Sequence, residues 1–297
     1  MSLRSVAPAW VKRAGRHLVR TWGRYTAERR PLPSVLLAGG QRCGSTSLHR
    51  ALTAHPMVVG ARFHKGVNYF DLEYDRGEQW YRGHFPTEAA ARRQVARDAA
   101  RAGLDPTGAP VVMESSGYYL YHPLALPRIA TDLPDVRVIV MLREPVERAH
   151  SAYKHAVARG FETESFERAL ELEPERLAGE EEKLATVPGY RSHAHRHWAY
   201  VTRGHYVEQV RRLYATIGPE RVYILDAERF FASPEESYAE VLDFLDLPAW
   251  FPPAFEQHNA RPGAAMSELL RRELTEHFRP YDDELEKLLG RPLAWRR

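Results

Sequence analysis

Cysteine is almost absent: Cys43 is the single one among 297 residues. No disulfide framework and no multi-cysteine metal site can form within one chain, and a reducing compartment fits. No apolar run reaches the about 18 residues of a membrane-spanning helix, so none is expected. The N-terminus lacks the continuous apolar core of a secretory signal, which makes the cytoplasm the expected location. Charge of one sign is also scarce. The formal net charge is +3, so bulk charge does not argue for nucleic acid, which asks for a concentrated basic face. What remains is an ordinary globular composition, 44% hydrophobic and 27% charged, long enough for one large α/β domain or two small ones.

Residues 1–33 stand apart. The stretch WVKRAGRHLVRTWGRY sets Trp10, Ala14, Leu18 and Trp22 at helical spacing, with Arg13, Arg16, Arg20 and Arg24 on other faces. A basic amphipathic helix over 9–26 suits peripheral contact with an anionic membrane surface. Packing on its own domain, or a basic tail, is the other reading. Pro31 and Pro33 close the segment.

From 34 to 297 strands and helices alternate. SVLLAGG (34–40) reads as a buried strand, followed by a helix from Ser45 to Ala54. GVNYFD (66–71) reads as a strand or extended edge, and 88–102 as a surface helix. APVVMESS (109–116) is a strand that breaks at Glu114. VRVIVMLREP (136–145) is the strongest buried strand, a near-continuous apolar run, and Pro145 suits the first turn of a following helix. The acidic stretch 162–185 reads as solvated helix. ERVYILDAERF (220–230) adds a strand, Ser233 caps a helix to 247, and a last helix covers 267–289. The expected fold is α/β: a single domain over 34–297 with a P-loop-like parallel sheet flanked by helices on both faces. Ligands of such sheets sit beyond the C-terminal ends of the strands.

One further absence is the most informative. Gly39 to Thr46 has the G-x-x-x-x-G spacing of a phosphate-binding loop, but the lysine that P-loop NTPases place before the Ser/Thr is missing. Backbone N–H groups of the turn and the helix N-terminus still make an anion site. Ser45, Thr46 and Ser47 add hydroxyls, and Arg42 can supply the positive charge. A tight strand-to-helix turn is the bland alternative. An NTPase also needs a strand-end acidic residue for magnesium. Here the strand VRVIVML ends in Arg143. Both departures favour a ligand held by donors and arginines, without metal.

GGQRCGSTSLHRALTAHP resembles the 5′-phosphosulfate loop of sulfotransferases that use 3′-phosphoadenosine 5′-phosphosulfate (PAPS). VRVIVMLREPVERAHSAYKHAV resembles their 3′-phosphate motif. KGVNYFD, MESSGYYLYHP and RGHYVEQVRRLY are similar to segments of the heparan-sulfate-type branch and its bacterial relatives. The resemblance covers roughly 34–297. It implies sulfuryl transfer from PAPS to a hydroxyl or amine of a carbohydrate or other small-molecule acceptor. It also implies that Arg42, Cys43, Gly44, Ser45, Thr46 and Ser47 form the 5′ side of the nucleotide site. Arg143 and Ser151 would grip the 3′-phosphate, and Arg261, in HNARPG (258–263), would close over the nucleotide. Ser151 lies about two helical turns beyond Arg143, so both can meet one anion. A salt bridge from Arg143 to Glu144 or Glu147 is the alternative.

The chain departs from the family where chemistry is decided. The K-E-x-H-F-F stretch, whose glutamate is taken as the acceptor's base, reads Lys65, Gly66, Val67, Asn68, Tyr69, Phe70. Three groups can substitute. Lys65 is expected as the cation on the leaving oxygen and Glu114, at a buried strand end, as the base; bonding to neighbouring backbone is the other role for Glu114. His64 is next in line. His193, His195 and His197 alternate, but no nearby carboxylate or cysteine completes a metal site, and polar-loop histidines are the plainer reading. Cys43 is expected to fill the loop rather than react. Tyr118, Tyr119 and Tyr121 fit either an acceptor cleft or the core. A P-loop kinase of small molecules and a non-catalytic nucleotide-binding protein at a membrane surface are the alternative functions.

Overall fold

The computed structural model describes residues 23, 25–106, 108–255 and 266–296. Five strands form one parallel sheet in the order β2-β3-β1-β4-β5. They are β1 (Val35–Gly39), β2 (Val58–Gly60), β3 (Val111–Glu114), β4 (Arg137–Leu142) and β5 (Val222–Asp226). β1 is central: Val35 pairs with Met113 of β3 on one side and Arg137 of β4 on the other. The chain fills the β3 side first and then crosses to β4, so the crevice between diverging connections opens at the C-terminal end of β1.

The connections carry helices α1 (Ser45–Ala54), α2 (Tyr69–Leu72), α3 (Glu78–Arg82), α4 (Glu88–Ala102), α5 (Ala125–Asp132), α6 (Pro145–Ala158), α7 (Phe166–Leu177), α8 (Glu180–Thr186) and α9 (His193–His197). They are followed by α10 (Tyr206–Ile217), α11 (Ala227–Ala232), α12 (Pro234–Phe244) and α13 (Glu268–Leu289). Alternation along the strands sends residues to two layers. Leu36, Val138, Val140 and Leu142 pack with Leu126 and Ile129 of α5, Val210 and Leu213 of α10, and Leu285 of α13. Val35, Leu37, Ile139 and Met141 pack on the other face with Leu48 and Leu52 of α1, Val95 of α4, and Val241 of α12. A third cluster joins Val146 and Ala149 of α6 to Phe166 of α7, Tyr200, and Phe278 of α13. Helices thus cover both faces, as the near-continuous apolar strands require.

Three elements differ from expectation. Residues 66–71 are not a strand: α2 begins at Tyr69 after Asn68 in a left-handed conformation, φ 58. The cause is that their N–H groups bond side chains instead of a neighbouring strand. Val67 N–H donates to Glu114 Oε1 at 2.8 Å, Asn68 N–H to Ser116 Oγ at 3.0 Å and Tyr69 N–H to Tyr119 Oη at 2.9 Å. β2 is not expected from the sequence, because VVG is too short to show a period. At α12, Ser233 occupies the N-cap position without a side-chain cap, because α11 runs directly into it.

Candidate active site

β1 delivers the chain into the turn Gly40–Gly44, and α1 starts at once. Gly44 has φ 84, a backbone conformation that favours glycine, and a Cβ there would also press on the Phe231 ring at 2.8 Å. The first turn of α1 presents its N–H groups toward the crevice, as any helix N-terminus does. Cys43 is buried and its thiol is pushed up to about 11 by burial. It fills the loop as a protonated side chain. Ser47 is buried; Ser45 and Thr46 are half-exposed.

The lysine missing from the loop arrives from elsewhere. Lys65, on the segment between β2 and α2, donates from Nζ to Ser45 Oγ at 2.9 Å and to Thr46 Oγ1 at 3.3 Å. Burial lowers its pKa to about 8, with Glu114 pulling the other way. Arg42 is held in the left-handed region, φ 70, a conformation that costs energy in a non-glycine residue. Its Nε donates to Ser151 Oγ on α6 at 3.1 Å, which brings together two residues expected at opposite ends of one nucleotide. Arg143 follows β4 and is half-buried. Its Nη2 lies 3.5 Å from Glu147 Oε2, so the ion pair weighed from the sequence does form. Glu147 is shared with Arg271 of α13 at 2.6 Å, and Glu144 caps α6 by accepting from Val146 and Glu147 N–H. Arg261 and most of the N-terminal amphipathic segment lie outside the described residues.

Glu114 is 0% exposed. Its carboxylate accepts from Val67 N–H, from Ser116 Oγ, and from Tyr81 Oη at 3.3 Å. Burial pushes its pKa up to about 7 against the pull of those donors. Gly66 explains the missing family glutamate. A Cβ at this position would sit 2.5 Å from the Ser115 carbonyl oxygen and 2.7 Å from Ser116 Oγ, so no side chain fits. Lys65 accepts at its carbonyl from Ser115 N–H, 3.1 Å, which clamps the same two segments.

Beyond α2 lies a cleft of about 310 Å³ lined by Asp71, Tyr74, His122, Arg128, Tyr190 and Arg191, among others. Asp71 was not singled out from the sequence. Its Oδ2 accepts from Asn68 Nδ2 at 2.9 Å, while Oδ1 is buried without a hydrogen-bond partner. Burial raises its pKa to about 6. The only sequence signal was its place six positions after Lys65. His64 is exposed. Of the three tyrosines, Tyr119 belongs to the core, whereas Tyr118 bonds His195 Nδ1 at 2.7 Å and Tyr121 bonds Thr202 Oγ1 at 2.8 Å. The helical form of α9 separates the histidines: His193 and His197 share a face, with ring centroids 4.7 Å apart, and His195 points to Tyr118.

The donor set fits a doubly phosphorylated nucleotide: helix-start N–H groups, hydroxyls and Lys65 on one side, Arg143 and Ser151 on the other, with Arg42 reaching from the loop to Ser151. Comparison with known proteins agrees. The profile described as "Sulfotransferase family" matches residues 33–252. The crystal structure of a sulfotransferase from Alicyclobacillus acidocaldarius is 30% identical, covers 90% of this chain and 100% of its own, and superposes with a TM-score of 0.65. The membrane-associated sulfotransferase kil1 of Dictyostelium discoideum is 23% identical over 89% of this chain and 66% of its own length. Human heparan sulfate glucosamine 3-O-sulfotransferase 6 is also 23% identical, over 90% of this chain and 75% of its own length. The chain belongs to the sulfotransferase family, a family of transferases that draw their sulfuryl group from PAPS.

Proposed function

We propose that this sulfotransferase moves a sulfuryl group from PAPS to a hydroxyl or amine of a carbohydrate or glycoconjugate. The carrying observation is the bond from Lys65 to Ser45 and Thr46, which restores a cation to a loop that lacks its own lysine. Arg42 and the turn Gly44–Ser47 hold the 5′-phosphosulfate. Arg143 and Ser151 take the 3′-phosphate, with Arg261 closing over the nucleotide. Arg143 then exchanges Glu147 for the phosphate. Residues 34–297 act as one catalytic domain, with 1–33 as a separate basic segment.

In the transfer the bond from sulfur to the bridging phosphate oxygen breaks and a bond from sulfur to the acceptor oxygen or nitrogen forms. Lys65 meets the charge that develops on the leaving oxygen. The acceptor's proton passes to a carboxylate. Glu114 is enclosed by three donors, which supports a positioning role: it holds the Lys65 segment through Val67 and Ser116. Asp71, whose carboxylate lies buried at the cleft wall with its pKa raised by burial, becomes the base for an acceptor once cleft side chains shift to admit it. The aromatic and charged lining of that cleft suits a polyhydroxylated acceptor, as the names of the relatives suggest. Peripheral membrane contact through residues 9–26 rests on the sequence and on the name of the Dictyostelium relative; sedimentation with anionic vesicles tests it.

The test of the main reading is labelled-PAPS turnover over a panel of glycans, with calorimetry of adenosine 3′,5′-bisphosphate in strong chelator. Tight metal-free binding and label on a glycan are expected. Turnover that vanishes with the chelator and returns with magnesium would favour a kinase instead. Asp71→Asn with intact nucleotide binding and full turnover would remove Asp71 as base and leave His64.

A further inference from the structure

Behind the phosphate loop, just before α10, sits Arg203, 3% exposed. Its Nη1 donates to Gln41 Oε1 within the loop, and its Nη2 donates to the carbonyls of His195 and Arg196, both at 2.9 Å. Its guanidinium lies over the rings of Tyr118 and Tyr121, 4.8 and 4.7 Å from their centroids. Every one of these partners is neutral. Other arginines behave differently: Arg176 pairs with buried Glu162 and Arg291 with buried Asp226. Among the described residues no carboxylate pairs with Arg203, and its buried Nε has no hydrogen-bond acceptor. Arg148 of α6, 1% exposed, leaves Nε and Nη1 in the same condition. Both arginines line a small cavity of about 10 Å³ together with Gly40 and Gln41.

A buried cation without a counter-charge is costly, and such a group is kept where an anion supplies the missing charge. The side chain that Arg203 grips belongs to the turn that faces the 5′ end of the nucleotide. The same segment reaches the other anchor, since Tyr206 Oη donates to the Arg143 carbonyl at 2.8 Å and Gln209 Nε2 to the Arg203 carbonyl at 3.0 Å. We propose that Arg203 is a positioning residue for the 5′ end: it fixes the loop through Gln41 and lends it a buried positive charge that a bound 5′-phosphosulfate balances. This rests on the reading of Gly39–Ser47 as the 5′-phosphosulfate loop.

Calorimetry on the full chain separates the 5′ end from the 3′ end. The probes are adenosine 3′,5′-bisphosphate, adenosine 5′-phosphate and adenosine 3′-phosphate. Arg203→Gln is expected to weaken the two 5′-phosphorylated nucleotides about tenfold, the scale of one charge-assisted contact, and to leave adenosine 3′-phosphate unchanged. Arg203→Lys should recover most of the loss, because the charge returns. Equal weakening of all three nucleotides would mean a merely structural role and overturn the proposal, as would no change in any. If Arg203→Gln does not fold, Gln41→Leu cuts the same link from the loop side and should show the same selectivity to a smaller degree; equal or no loss there overturns the proposal too. Wild-type protein that binds adenosine 3′-phosphate but neither 5′-phosphorylated nucleotide would instead overturn the reading of the loop.

Discussion

The two sides of the crevice, the proposed nucleotide side and the proposed acceptor side, are built by different means. The nucleotide side uses backbone: a turn after β1, the start of α1, and the residue that follows β4. Apart from Lys65 and Arg261, its proposed groups come from two short stretches, 39–47 and 143–151. The acceptor side is held by side chains that reach across the sequence, Val67 to Glu114, Asn68 to Ser116, Tyr69 to Tyr119 and Tyr118 to His195, at separations of 47, 48, 50 and 77 residues. An anion site made of backbone survives much substitution, because any residue supplies an N–H. A site made of interlocked side chains changes as a unit. Gly66 is the example: at the slot where the resemblance places a glutamate, Ser115 and Ser116 lie against the backbone. Lys65 is the one group that belongs to both sides.

The comparison breaks most sharply at Lys65. Lys65→Ala should lower turnover about 10²–10³-fold, as loss of one transition-state donor does, with a smaller loss in nucleotide affinity. Single-turnover measurement of labelled PAPS checks it; near-normal rates would leave the loop without the cation assigned to it. Because burial holds Lys65 at about 8, affinity for the bisphosphate should also fall as pH rises through that value, since the neutral amine no longer attracts an anion. Arg143→Ala comes next and sharpens the nucleotide side alone. It should cost roughly 1.5–3 kcal/mol of binding to a 3′-phosphorylated nucleotide and little to its 3′-dephospho analogue. Equal losses would show that the ion pair with Glu147 is the whole of its role.

The same division decides what was legible in the sequence. The β1–α1 loop, β4 and α6 follow from local period and spacing, so they could be read directly; the contact of Ser151 with Arg42, and of Arg143 with Glu147, shows only in the fold. Lys65 was legible through its family slot, but its contact with Ser45 and Thr46 was not, because it spans 20 and 19 residues. Residues 66–71 read as a strand because their apolar and aromatic content suits one; three long-range acceptors make them a turn and a helix. Glu114 was visible as a strand-end carboxylate, but its enclosure by Val67, Ser116 and Tyr81 depends on tertiary packing. Asp71 and Arg203 lie in the family-like segments KGVNYFD and RGHYVEQVRRLY, but nothing local marks out either residue within them. Their importance lies in what surrounds them: a buried oxygen without a donor and a buried cation without a carboxylate.

On the acceptor side Gly66→Ala is the direct probe. The added Cβ meets a backbone carbonyl rather than a flexible side chain, so the 65–69 segment must shift. A loss of about 3 kcal/mol in unfolding free energy is expected, the upper part of the range for overpacking, together with reduced turnover. Denaturant unfolding and turnover, measured on one preparation, check both. A variant as stable as wild type would mean that the glutamate slot is open to a side chain and that sterics do not account for the missing base.

The smallest effect concerns Glu114 and distinguishes holding from proton abstraction. Its pKa stands at about 7 in the folded protein against an ordinary 4.5. Between those values the folded state keeps a proton that the unfolded chain has released. Stability linked to this group is therefore fully present below the ordinary value, falls as pH rises through the window, and levels off above about 7. Glu114→Gln cannot ionise, so its stability relative to wild type should improve by about 2–3 kcal/mol between pH 5 and pH 8. Urea midpoints at the two pH values measure the change. Turnover should fall only as far as the Lys65 segment loosens, because the amide still accepts from Val67 N–H. Parallel stability profiles would show that Glu114 is ionised in the folded state throughout. A complete loss of turnover in a stable, nucleotide-binding Glu114→Gln protein would return the base to Glu114 and make the acceptor side as direct in its chemistry as the nucleotide side.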